Sequence, residues 1–252
     1  MTVALTPAIR LSEVSKVYGT GRDAVLALDR VSLEVARGEF LCIVGASGCG
    51  KSTLLSLVAG LERPTVGEVE VGLGRPALMF QEPALLPWLT TWRNVELPLR
   101  LRRAPRQERR RTVQRLLDTV NLAAFASRRP HELSGGMRQR AALARALAQE
   151  AQLLLMDEPF AALDAITRDL LHDDLLAIWQ ANQLTVVFVT HNVHEAVRLG
   201  DRVVLLTSRP GRVACAWTVE MPRPRSLDSP EVARMAAEIT QRLHEEIRRR
   251  GR

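Results

Sequence analysis

Short apolar runs alternate along the chain with stretches in which apolar residues recur every three or four positions. That rhythm predicts strands interleaved with helices, and hence a mainly parallel α/β core. EFLCIVG (39–45) reads as a buried strand that opens into a helix from 51 to about 59. VGEVEVGL and ALMF give further strands, and LLLMD, TVVFVT and RVVLLTS give the strongest three. Helical periodicity covers roughly 164–181 and 193–199.

The texture changes at 83–149. No strand pattern occurs there, only helical periodicity that should break at Pro98, Pro105 and Pro130. This segment reads as a helical subdomain inserted into an α/β domain spanning 9–229. A last helix should start near Ser229-Pro230, a capping residue followed by proline. Across 230–252 the residues Val232, Met235, Ala236, Ile239, Leu243 and Ile247 form one apolar stripe. There is no internal repeat.

Composition sharpens this reading in three places. No apolar run approaches the roughly 18 residues of a membrane span, and the N-terminal stretch lacks a signal-peptide pattern, so a cytoplasmic protein is expected. The three cysteines form no metal spacing. Cys42 and Cys215 read as strand filling; Cys49 should be exposed to whatever the surrounding glycine loop binds. The net charge is +7, and only Lys16 and Lys51 among 35 basic residues are lysine. Eight arginines lie between Arg100 and Arg115 without interleaved aromatics. That pattern argues against nucleic acid and for a solvated helix face, with an anionic membrane surface as the other reading.

The chemistry concentrates at strand ends. GASGCGKS is a complete phosphate loop, formed by Gly45, Ala46, Ser47, Gly48, Cys49, Gly50, Lys51 and Ser52, with Thr53 following. It follows a strand and opens a helix, so backbone N–H groups and the helix N-terminus face an anion. Lys51 should reach the outer phosphates, and the Ser52 hydroxyl should face Mg2+. LLLMDEP ends in Asp157, placed for Mg2+, and Glu158, placed to address an attacking water. His191 and Gln81 each end a further strand on the same rim. Ser134, Gly135 and Gly136, in LSGGMRQR, form a second anion-binding helix start that lacks a lysine.

With these five signals in this order, the sequence resembles the nucleotide-binding subunit of an ATP-binding-cassette (ABC) transporter. The resemblance implies a P-loop NTPase core with an inserted helical subdomain and an N-terminal β region. It implies ATP hydrolysis with Mg2+ near Ser52, Gln81 and Asp157, and Glu158, His191 and Gln81 at the reacting phosphate. Tyr18, in KVYG, would stack on adenine, and Asp164, in FAALD, would link two sites across a dimer. In this family two copies pack head to tail, and each ATP lies between the phosphate loop of one and the LSGGM of the other. That arrangement accounts for two anion sites in one chain. The sequence departs from the family in carrying Ala161 and Ala162 where Ser is frequent.

The segments QEPALLPWLTTWRNVELPL and SRPGRV are similar to the nitrate, sulfonate and taurine importer group. The group implies two transmembrane permease subunits, an extracytoplasmic solute-binding protein acting indirectly, no nucleic acid, and a peripheral place on the cytoplasmic face of the membrane. An exporter or lipid-trafficking cassette, or a soluble non-transport ABC ATPase, remains the alternative. Leu85, Leu86, Trp88, Leu89 and Trp92 crowd into eight residues, either as a buried satellite core or as a docking cleft anchored by Trp88.

Overall fold

The computed structural model describes residues 6–226 and 229–250. The last two residues of the 230–252 segment and the first five of the N-terminal stretch lie outside them.

Along the chain run β1 (Ile9–Tyr18), β2 (Val25–Val35), β3 (Phe40–Val44), α1 (Lys51–Val58), β4 (Val66–Val71) and β5 (Ala77–Met79). Then come α2 (Thr91–Leu101), α3 (Arg106–Thr119) and α4 (Gly135–Leu147) without an intervening strand. The chain returns to β6 (Leu153–Asp157), α5 (Ala165–Asn182), β7 (Thr185–Thr190), α6 (Val193–Leu199), β8 (Arg202–Leu206), β9 (Val213–Thr218) and α7 (Pro230–Arg250).

Two sheets result. The central one has the order β5-β6-β7-β3-β8-β9, parallel except for β9, which pairs antiparallel with β8. The other is antiparallel, with β1 between β2 and β4. The continuous apolar runs now have a cause, because the central strands are covered on both faces. Phe40, Cys42, Val44, Leu154, Met156, Val186 and Phe188 join one core with the helices. Their alternates Leu41, Ile43, Leu153, Leu155, Val187 and Val189 join a second core with α1, β1 and β2.

Three expectations need correction. First, α2 runs through Pro98 instead of breaking there. The ring removes one backbone donor, but Val95 and Leu99 are fully buried, and α2 packs on α4. Second, Ile247 leaves the stripe of α7: Val232, Ala236 and Ile239 enter the core, while Ile247 is 44% exposed. Third, Cys215 is only half-buried, because β9 is an edge strand. β9 itself is implied in the sequence only by the reading of Cys215 as strand filling.

Among the described residues, no helix is long and apolar enough to cross a membrane. The arginines of the 100–115 segment split their roles. Arg102 pairs with Glu108 and Glu150, and Arg109 with Glu96. Arg110, Arg111 and Arg115 line an open groove.

Candidate functional site

Four adjacent strands end on one rim. Val44 of β3 is level with Thr190 of β7, and Asp157 of β6 is level with Val189. The phosphate loop follows β3, Glu158 follows β6, His191 follows β7 and Gln81 follows β5 after one residue. A cleft of about 360 Å³ opens there. Tyr18, Ser47, Gly48, Gly50, Lys51, Ser52, Thr53, Gln81, Asp157 and Glu158 line it, joined by Val25, Ala27 and Arg209.

The loop geometry depends on glycine. Gly50 has φ +103°, and a Cβ there would meet Leu28 Cδ2 at 2.7 Å and Ala27 O at 2.9 Å. Lys51 is buried, and its Nζ donates to Gly45 O at 2.9 Å and Ala46 O at 3.1 Å. Gly45 and Ala46 thus hold the lysine and do not line the cleft. The Cys49 side chain is fully buried and packs in the second core, against the expectation of exposure. Its backbone N–H donates to Ala46 O, so the loop turns the thiol inward beneath Gly45. Burial pushes that thiol above its usual range, and Lys51 opposes the shift in part.

Glu158 sits within reach of a lysine and a histidine. Its Oε1 is 3.6 Å from Lys51 Nζ, and its Oε2 is 2.8 Å from His191 Nδ1. Its backbone is left-handed, at φ 43°, a conformation that costs about 1 kcal/mol in a non-glycine residue. The N–H of Glu158 donates to Val189 O at 2.9 Å, which fixes the turn. Burial pushes the Asp157 carboxyl above its usual range, and a hydrogen bond from Ser52 pulls it back in part. A hydroxyl and a carboxylate side by side are hard oxygen donors, the set that suits Mg2+ carried by phosphates and water.

The LSGGM start lies elsewhere on the chain. Ser134 caps α4, its hydroxyl accepting from Met137 N at 3.2 Å. Asp164 caps α5, accepting from Thr167 N at 2.9 Å, and that bond holds its carboxyl below the usual range. The two helix starts touch, since a Cβ on Gly136 would lie 2.5 Å from Thr167 Cγ2. Ser134, Asp164, Ile166 and Leu170 are exposed there. None of them lines the cleft of the same chain.

Helix α4 also grips the loop after Gln81. Gln139 Nε2 donates to Gln81 O at 3.0 Å, and Arg145 donates to Pro83 O and Ala84 O. Sequence reading missed Gln139, Arg145 and Arg209. Arg209 carried a usable signal, because it follows a predicted strand, as every other rim residue does. Lys16 has its own explanation: Nζ bonds Glu62 and Arg63 O and lies 4.9 Å over the Tyr18 ring.

Fold and cleft together define a P-loop nucleotide-binding protein. A family model described as ABC transporter matches residues 28–161. The nitrate import ATP-binding protein NrtD of Synechocystis is 43% identical over 221 residues, 85% of this chain and 83% of its own. The aliphatic sulfonates import ATP-binding protein SsuB 2 of Burkholderia lata is 46% identical over 241 residues, 93% and 85% of the two chains. Among solved structures, the dimeric bacterial ABC transporter cassette MJ0796 superposes with TM-score 0.76 at 34% identity, covering 85% of this chain and all of that one. The same cassette in a post-hydrolysis state bound to ADP and Pi gives TM-score 0.75. The chain belongs to the ABC transporter ATP-binding family and is an ABC-type ATPase.

Proposed function

We propose that this chain is the ATP-hydrolysing subunit of an importer for a small anion of the nitrate or sulfonate kind. It would work at the cytoplasmic face of the membrane with two permease subunits and an extracytoplasmic binding protein. The relatives named for nitrate and sulfonate import support this reading.

The observation that carries the mechanism is the convergence of Lys51, Asp157 and Glu158 on one cleft, with His191 outside its lining but bonded to Glu158, while Ser134 and Asp164 face outward on another surface. Two copies packed head to tail would bring the Ser134 surface of one over the cleft of the other. Lys51 and the loop N–H groups would hold phosphates, and Tyr18 the base. Glu158 would orient and polarise the attacking water, and His191 would hold Glu158 in place. Ser52, Asp157 and Gln81 would hold Mg2+, which supplies charge neutralisation at the β- and γ-phosphate oxygens when bound.

A complementation experiment tests the shared site. Ser134→Asp keeps a good helix cap but places a negative charge where a γ-phosphate would lie. Homodimers of Lys51→Ala or of Ser134→Asp have two damaged sites. Mixing the two variants restores one intact site in each head-to-tail heterodimer, so ATPase activity should reappear. No recovery in the mixture, with both proteins folded and associating, would sink the shared-site reading. For transport, ATPase activity of the reconstituted complex should rise with a binding protein loaded with nitrate or an alkyl sulfonate.

A further inference from the structure

Arg209 stands in the β8–β9 connection, SRPGR, a segment to which the site chemistry above assigns no role. It lines the same cleft as the phosphate loop. Its Nη2 lies 3.8 Å from where a Cβ on Gly48 would sit, so the guanidinium lies against the middle of the loop. Among the described residues it makes no ion pair and no side-chain hydrogen bond. The neighbouring Arg212 differs: its Nε donates to Asp29 Oδ2 at 2.9 Å.

The connection is built to hold Arg209 there. Gly211 N donates to Ala27 O at 2.9 Å, and Asp29 N donates to Gly211 O at 3.0 Å, which ties the segment to β2. Thr207 Oγ1 donates to Pro210 O at 2.7 Å and accepts from Arg212 N at 2.9 Å, which closes the turn. Gly211 lies directly on the phosphate loop, since a Cβ there would meet Cys49 O at 2.2 Å. A pinned turn holds an exposed, cleft-facing guanidinium with no internal anion, so its charge is free to meet an anion that enters the cleft.

We infer that Arg209 is a further nucleotide-binding residue, donating to the phosphate chain of the bound nucleotide from beside Gly48; this rests on the nucleotide-site reading above. The two cations divide the work by chemistry. Lys51 is a buried point charge anchored by two loop carbonyls. Arg209 is a planar fork at the cleft's open edge, suited to grasping two phosphate oxygens at once.

Isothermal titration of the full-length subunit with Mg2+ and AMP-PNP, a non-hydrolysable ATP analogue, tests this. Arg209→Gln should weaken binding about tenfold, the loss of one charge-assisted contact. Arg209→Lys should recover only part of it, the charge without the fork, and the gap to wild type should narrow in high salt. The ligand-free melting temperature should stay unchanged in both variants. Wild-type affinity for Arg209→Gln overturns the inference and leaves the nucleotide site standing, whereas a wild-type subunit that binds no nucleotide sinks the site itself. A lowered ligand-free melting temperature, with Lys no better than Gln, makes Arg209 a structural residue and overturns the inference. So does a variant with unchanged nucleotide affinity whose dimerisation alone is impaired, because the anion is then supplied by the second copy.

Discussion

His191 Nδ1 lies 2.8 Å from Glu158 Oε2, joining the ends of two neighbouring strands by a single contact. The other Glu158 oxygen faces Lys51 Nζ at 3.6 Å. The carboxylate is thus held from two sides, and a phosphate drawing Lys51 toward itself would release one oxygen toward water. The contact makes His191 a support for Glu158 as well as a candidate phosphate contact.

Glu158→Gln therefore keeps the shape of the site but loses the charge that, in the proposed mechanism, would polarise water. Turnover should fall by at least about a hundredfold, within the usual range for general-base removal, while nucleotide affinity stays near wild type. His191→Ala should also lower turnover, and a loss of affinity beside it would mark the phosphate contact. Steady-state ATPase rates beside nucleotide titrations check both; a Glu158→Gln enzyme turning over at the wild-type rate would remove Glu158 from the mechanism.

Behind His191 lies a buried polar chain. His172 Nε2 is 2.6 Å from Glu195 Oε1, and Thr190 Oγ1 donates to the other Glu195 oxygen. Both His172 and Glu195 are almost wholly inaccessible. Removing one member of such a buried pair leaves its partner unsatisfied, at a cost of about 1–3 kcal/mol. Glu195→Ala should lower the melting temperature by roughly 2–12 °C for a chain of this size. Thermal unfolding of the purified subunit measures it, and an unchanged melting temperature would show that the pair contributes little.

The cysteines should differ sharply toward an alkylating reagent. Cys42 and Cys49 are buried, and burial pushes both thiols above their ordinary range, so little reactive thiolate forms at neutral pH. Cys215, half-buried on edge strand β9, should label first. Nucleotide should not protect Cys49, because its side chain lies under the loop. Mass spectrometry of partially labelled protein decides the order; rapid, nucleotide-sensitive labelling of Cys49 would contradict the buried placement.

How much of this was legible follows from what periodicity encodes. The strands and the residues at their carboxyl ends could be read because a strand's end fixes where its next residue falls. Asp157, Glu158, His191 and Gln81 obey that rule, and so does Arg209, where it went unapplied; Lys51 was legible from the phosphate-loop motif instead. The direction of a side chain inside an irregular loop has no period to betray it, and this is why Cys49 was misplaced. Pro98 misled for a different reason: local propensity argued for a break, and burial of Val95 and Leu99 outweighed it. The contact of Gly136 with Thr167 joins helices whose sequence spacing says nothing of their neighbourhood.

The apolar loop after Gln81 turns out to divide its residues between both readings. Leu85 and Trp92 pack against the core, whereas Trp88 is 68% exposed. The loop is nonetheless held firmly. The buried Asn94 side chain accepts from Leu86 N at 2.8 Å and donates to Leu86 O, Leu89 O and Thr90 O. Arg145 and Gln139 of α4 hold the loop's other end. An exposed tryptophan on a rigid mount is the anchor expected at a protein interface, and in the proposed assembly its occupant is a cytoplasmic helix of the permease. Since α4 begins at Ser134 and also grips Gln81 and Ala84, closure on nucleotide would move this mount. Trp88→Ala should change stability by no more than about 0.5 kcal/mol, the range for an exposed site, and leave nucleotide binding intact. Permease association should weaken by about thirtyfold or more, the loss of one interface anchor. Co-purification with the permease, beside a melting curve of the subunit alone, separates the outcomes. Normal association would take Trp88 out of the interface, and a large fall in melting temperature would mean that the indole supports the fold instead.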